Sequence, residues 1–261
     1  MNKECFKNIS CEVKVAYILI VILFCLNVYT LIASCSGKDG LSNKKIADWV
    51  SENPLAILES VQNYAQKQQE EAYKQQQEAS AENIKKYSKE LASTDNAGVV
   101  NPKAKLKIVE FFDYNCGYCK VAAQNINELL KKRKDVQIIL RPITIMGPAS
   151  VYATEVGNAI LLIDSDKYVK YYNVLMGGSA RSKQDVEKAV KSAGLSMSKV
   201  NKVLKKDAEK ISAMIQANMD LSSKIGINGT PAFIINETLI PGAVDANTLE
   251  SMLNNTSNTQ E

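Results

Sequence analysis

Residues 111–120 read Phe111-Phe112-Asp113-Tyr114-Asn115-Cys116-Gly117-Tyr118-Cys119-Lys120. Two thiols lie two residues apart, just after an apolar run and just before a helical pattern. The run, Leu106 to Phe112, has strand length and is rich in Val, Ile and Phe, which suits a central buried strand. From Gly117 to Lys134 the spacing predicts a helix with Val121, Ala122, Ile126, Leu129 and Leu130 on its inner face. It closes on Lys131-Lys132-Arg133-Lys134, cations at the negative end of the helix dipole. Val136 to Leu140 is a second buried strand. This β-α-β order implies a right-handed crossover and a parallel strand pair.

A C-x-x-C at a strand-to-helix junction has a specific use. The unpaired N–H groups and the dipole at a helix start favour an anion, which marks Cys116 as the attacking thiolate. Cys119, one turn on, is placed to resolve a mixed disulfide or close the ring. The other use of such a pair is half of a structural zinc site, which wants four ligands. The chain has six cysteines and no histidine. Cys5, Cys11, Cys25 and Cys35 all lie in or beside the N-terminal leader, so the body offers no third cysteine and no histidine for zinc. The absence of histidine also excludes Ser-His and Cys-His nucleophile schemes.

The leader, residues 1–36, reads as a signal peptide or a membrane anchor. Lys3, Lys7 and Lys14 precede a nearly unbroken apolar run from Val15 to Ala33, and small residues follow. The run is also long enough to be retained as an anchor. Ile32-Ala33-Ser34-Cys35 resembles a lipoprotein box, in which Cys35 would be acylated. All three readings export the remainder. A net charge of +4 with scattered lysines and no interleaved aromatics excludes a nucleic-acid stripe.

Residues 37–98 read as a helical stalk. Asn53-Pro54 is an N-cap followed by proline at the first helical position. Beyond it, Leu58, Val61, Ala65, Gln68, Ala72, Gln75 and Ala79 alternate three and four apart, a weak heptad seam. Two readings stand: a solvated spacer helix, or an oligomerisation stalk through residues 41–92. Ser93 to Pro102 then breaks the helix and marks a boundary.

From Leu106 onward the chain resembles the DsbA-type thioredoxin-fold disulfide oxidoreductases of the bacterial envelope. The carrying residues are VEFFDYNCGYCK, RPITIMGP and NGTPAF. The fold class implied is α/β: a thioredoxin-like domain over residues 99–254, with a helical insertion at about 148–221 and a disordered tail at 255–261. The resemblance further implies that Pro231 is a cis-proline beside the cysteines. Glu110 would be a buried acid relaying protons beneath them, a costly placement for a carboxylate without a function. Thr230 would offer its backbone to an extended client segment.

Gly117-Tyr118 stands where the most oxidising members carry Pro-His. A less stabilised thiolate makes a less oxidising couple. Gly-Tyr is instead the pair of the periplasmic disulfide isomerases. With the segment DWVSENPLAILESVQNYAQKQQ, this resembles the suppressor-of-copper-sensitivity C-type and Com1-like branch, some of whose members are trimeric. The partners implied are cysteine-containing secreted or envelope proteins and a membrane redox partner. The location implied is the periplasm, and no cofactor is expected. A different class also fits the two soft thiolates: an envelope Cu(I)-binding protein. Two features read as packing alone: Met214 and Met219, and the aromatic run Tyr168, Tyr171 and Tyr172.

Overall fold

In the computed structural model the backbone is described for residues 11–35 and 43–254, and side chains for 17–30 and 45–254. The start of the leader, the side chain of Cys35 and the tail at 255–261 lie outside the described residues. The leader's apolar run forms helix α1 (Cys11–Cys35). Among the described residues, no helix is long and apolar enough to cross a membrane.

Helices α2 (Asn43–Glu52) and α3 (Pro54–Lys86) follow, broken at Asn53, and α3 starts on the expected proline. The short α4 (Ser88–Ala92) leads to strand β1 (Gly98–Val100). Next come β2 (Leu106–Phe112), α5 (Gly117–Lys132) and β3 (Val136–Pro142). Five helices then form the insertion: α6 (Pro148–Ile163), α7 (Ser165–Met176), α8 (Lys183–Ser192), α9 (Met197–Lys206) and α10 (Ala208–Lys224). The chain returns through β4 (Ala232–Ile235) and β5 (Thr238–Pro241) to α11 (Ala246–Asn254).

The five strands form one mixed sheet in the order β1-β3-β2-β4-β5. β2 is the central strand, parallel to β3 from Leu106↔Val136 to Phe112↔Pro142, and antiparallel to β4. Its alternation assigns the two faces. Ile108 and Phe112 join the larger core with Ala122, Ala123, Ile126 and Leu129 of α5. Val109 and Phe111 point the other way, into a second core with Leu221 and Ile225. The buried face of α5 therefore runs through Cys119, Ala122, Ala123, Ile126 and Leu129, while Val121 is exposed. The expected inner face was misplaced at Val121, which lies two positions, or about 200°, from Ala123. The cationic end behaves as expected, with Lys134 Nζ donating to the Leu130 carbonyl at 2.6 Å.

Two stretches expected to belong to stalk or linker are part of the packed body. Ile84, Leu91 and Ala97 are buried in the second core. The compact unit accordingly begins at Gln69, inside the segment read as stalk, and residues up to Gln68 form a separate unit. Arg141 on β3 holds this connection. Its buried guanidinium donates to the carbonyls of Glu90, Leu91 and Ser93 and to Asn218 Oδ1. Carbonyls at a helix end have no partner within the helix, and a cation supplies one. Burial lowers the Arg141 pKa to about 10. β1, also unforeseen, pairs antiparallel with β3. Gly98 is required there because a Cβ would sit 1.9 Å from Cε1 of Tyr168.

The insertion is anchored to β2 by aromatic edges. Phe112 meets Tyr114 and Tyr172 in T-shaped contacts at 5.0 Å, and Tyr114 meets Tyr171 at 5.7 Å. Tyr171 donates to the Ala153 carbonyl at 2.7 Å, tying α7 to α6.

Truncation separates the two parts of the supposed stalk. Leu91→Ala should lower unfolding stability by about 2–5 kcal/mol, the cost of a buried large-to-small change, because Leu91 is buried. Leu58→Ala, on an exposed turn of α3, should leave the main unfolding transition unmoved. Denaturant titration followed by tryptophan-independent circular dichroism checks both. Equal losses, or none at Leu91, would contradict the assignment.

Candidate functional site

The site forms where β2 ends and α5 begins. Asp113 makes the turn: the Cys116 N–H donates to its carbonyl at 3.1 Å, and the Asn115 N–H donates to its Oδ1 at 2.8 Å. The same carboxylate accepts from the Ile145 and Met146 N–H groups, each at 3.0 Å, and from Ser150 Oγ. It thereby pins the loop after β3 beside the cysteines. Asp113 is fully buried, and its four donors offset the desolvation of a charge. The sequence reading missed it, although Asp directly before a turn is a known turn-forming signal.

Cys116 occupies the N-cap of α5 in extended conformation, with φ −74° and ψ 119°. Its Sγ accepts from the Cys119 N–H at 3.4 Å, as an anion-favouring cap position would. The thiol also reaches the Thr230 carbonyl at 3.3 Å. The Thr230–Pro231 peptide bond is cis, which brings the loop before β4 against the cysteine. Gly117 faces open space and Tyr118 is 72% exposed. The two thiols are unequal. Cys116 retains 5% exposure, whereas Cys119 has none, and burial pushes the Cys119 thiol well above its ordinary value. Ionised Glu110 and the neighbouring Cys116 add to that rise.

Glu110 lies on the face of β2 that carries Ile108 and Phe112, between Leu140 on β3 and Phe233 on β4. It is fully buried. Tyr172 donates its hydroxyl to Oε2 at 2.9 Å, while Oε1 has no partner among the described residues. Desolvation raises the Glu110 pKa from 4.5 to about 8, opposed in part by the Tyr172 hydrogen bond. Near neutrality the carboxyl therefore holds a proton it can give up. Tyr172 was read as packing; it does pack, but its hydroxyl serves Glu110. Its position four residues past Tyr168 gives no hint of that partner. Among the described residues, no group of three or more His, Cys, Asp or Glu side chains gathers to hold a metal ion.

Thus Cys116, Cys119, Gly117, Tyr118, Thr230 and Pro231 meet at the end of the central strand, with Glu110 beneath in the core.

Known proteins share this fold. A family model described as thioredoxin matches residues 99–255. A search of curated protein sequences finds no significant match. Among solved structures, the thiol-disulfide exchange protein alpha-DsbA2 from Wolbachia pipientis is 26% identical, with a TM-score of 0.64, covering 69% of this chain and 97% of its own. The catalytic domain of Proteus mirabilis ScsC is 28% identical, with a TM-score of 0.61, covering 67% and 97%. A periplasmic thioredoxin-like protein from Salmonella enterica serovar Typhimurium is 27% identical, with a TM-score of 0.56, covering 65% and 94%. With more than half of its length matched by the family model, the protein belongs to the thioredoxin family. Within it, the chain is a thioredoxin-fold oxidoreductase of the DsbA type, close to the ScsC branch.

The raised acid has a sign that can be measured. In the unfolded chain Glu110 ionises near 4.5; in the fold it does so near 8. The neutral form's contribution to stability is fully present below the lower value and is lost as pH rises through the upper one. Glu110→Gln stays neutral throughout. Its stability relative to the unaltered protein should therefore rise between pH 5 and pH 8, read as the difference between paired melting curves. A constant difference would mean that Glu110 is not the buried acid described.

Proposed function

We propose that this is an exported thiol–disulfide oxidoreductase that forms, reduces or isomerises disulfides in cysteine-containing secreted or envelope proteins. The observation that carries it is the inequality of the thiols: Cys116 at the rim on a helix start, Cys119 buried above an acid. In the oxidising direction a client thiolate attacks Cys116 Sγ of the Cys116–Cys119 disulfide. Cys119 leaves as a thiolate and takes a proton from Glu110. A second client thiolate then attacks the client sulfur of the mixed disulfide and expels Cys116 as a thiolate. The client gains one disulfide and the protein becomes a dithiol, to be reoxidised by a membrane redox partner. Run backwards, the same steps reduce a client. Started by reduced Cys116 and ended by release, they isomerise one.

Thr230 and Pro231 hold the client backbone against Cys116, and Gly117 and Tyr118 meet it from the other side. The basic start and apolar run of the leader support export to the periplasm, as does the likeness to a periplasmic thioredoxin-like protein. Cleavage, retention or acylation at Cys35 would each leave the body there.

Trapping tests the mechanism. With Cys119→Ala, the Cys116 thiolate should attack a disulfide of a client protein, displace one client thiolate, and accumulate as a mixed disulfide visible on non-reducing gels. With Cys116→Ala no adduct should form. Adducts through Cys119 would refute the assigned roles.

Self-association through residues 41–92, as a trimer, completes the proposal. Ile46, Trp49 and Val50 of α2, and Leu55, Leu58 and Val61 of α3, are all exposed at helical spacing. An apolar stripe without a partner among the described residues favours packing between copies. Several sites around one misfolded client would suit isomerisation. Light scattering at tens of micromolar should give three chains for the whole protein and one after deletion of 41–68, which spares the packed Ile84 and Leu91. A monomer before deletion would leave the segment a spacer.

A further inference from the structure

Neutral Glu110 can carry its proton on Oε1 or on Oε2, and only one of these leaves the proton free to move. Tyr172 decides between them. Its ring is held against β2 by the T-shaped contact with Phe112 at 5.0 Å, and the residue is 3% exposed. The hydroxyl makes one hydrogen bond among the described residues, to Glu110 Oε2 at 2.9 Å. An ionised carboxylate can only accept, so the hydroxyl donates to it. A proton on Oε2 would force the hydroxyl hydrogen to turn away into the core, where it has no other acceptor. With the proton on Oε1, the hydroxyl donates to Oε2 in both states, and nothing rearranges when the proton leaves.

Oε1 has no partner among the described residues, so a proton there is not engaged elsewhere. Few groups can exchange it. From α5 comes Cys119, whose thiol feels the charge of an ionised Glu110. From α7 come Tyr172 and Tyr168, and the Tyr168 hydroxyl is taken up by Tyr114 at 3.2 Å. The neighbouring strands contribute Leu140 and Phe233. Arg141, opposite Phe111, lies on the other face of the sheet, and no lysine or arginine pairs with Glu110 among the described residues. A cation in that place would hold the acid ionised; a hydroxyl orients it and leaves it able to be neutral.

We propose that Tyr172 is a positioning residue for disulfide exchange: by donating to Oε2 it confines the mobile proton of Glu110 to Oε1, where Cys119 gives it up or takes it back. The inference rests on the disulfide-exchange function proposed above. When Cys119 attacks the Cys116 sulfur of a mixed disulfide, its proton passes to Oε1 of ionised Glu110. The bond from Cys116 to the client sulfur breaks, the client leaves as a thiolate, and the Cys116–Cys119 disulfide closes.

Tyr172→Phe tests it, because it keeps the ring against Phe112 and removes one oxygen. Reduced full-length protein is mixed with saturating oxidised glutathione and quenched in acid, and the decay of the Cys116–glutathione adduct is followed by mass. In the unaltered protein the decay rate should rise with pH through a midpoint near 8. In Tyr172→Phe the midpoint should move up by about one unit, with the rate at pH 7 about tenfold lower, because the ionised acid has lost its donor. Glu110→Gln should abolish that midpoint, and adding Tyr172→Phe to it should change nothing further. Infrared spectroscopy locates the proton in the unaltered protein itself. The carboxyl band that Glu110→Gln removes should lie at the frequency of a hydrogen-bonded carbonyl. A band at the frequency of a free carbonyl would put the proton on Oε2 and overturn the assignment, as would an unmoved midpoint in folded Tyr172→Phe; either leaves the exchange function intact. An unaltered protein that never releases glutathione would overturn the exchange function, while the infrared band still decides where the proton sits.

Discussion

A carboxyl group buried on the central strand sets the terms for everything around it. Glu110 is fully enclosed, one of its oxygens is satisfied only by Tyr172, and the other has no partner among the described residues. An ionised carboxylate there would be destabilised by desolvation, so it holds its proton up to about pH 8. A neutral acid is tolerable in the core, and it is also a proton reserve beneath Cys119. The partner hydroxyl comes from α7, so the helical insertion does more than decorate the sheet. It closes over β2 and supplies the contact that keeps the acid oriented.

The same layering separates the two thiols. A helix that starts at the end of the central strand puts its cap residue at the rim and its third residue against the core. Cys116 thus gains the cap position, the Cys119 N–H and the Thr230 carbonyl, while Cys119 loses water. Asp113 fixes both neighbours of this junction, the turn into α5 and the loop after β3, through one carboxylate. Rigidity at the junction comes from hydrogen bonds to backbone, which explains how Gly117 and Tyr118 can face solvent without loosening the site.

Much of this was legible in the sequence because it follows from short-range rules. The strand at Leu106–Phe112, the helix from Gly117 and the C-x-x-C at their junction are set by apolar runs and spacing, and the structure places them as expected. What escaped were contacts between segments far apart in sequence. Tyr172 lies sixty-two positions from Glu110, and nothing local marks its hydroxyl as a partner. The buried end of α3 and α4 was read as stalk because the polar Gln/Glu/Lys pattern dominates there, yet Ile84 and Leu91 enter the second core and dock it. Arg141 secures that dock through carbonyls, which no side-chain pattern reveals. Val121 was misplaced because apolar residues adjacent in sequence cannot all share one helical face.

Burial makes the two cysteines unequal, with Cys116 alone open to reaction. Limited alkylation measures it directly. The reduced protein, treated with less than one equivalent of iodoacetamide at neutral pH and digested for mass spectrometry, should carry nearly all of the site's label on Cys116, with Cys119 modified only after unfolding. Comparable labelling of the two, or preference for Cys119, would contradict the account.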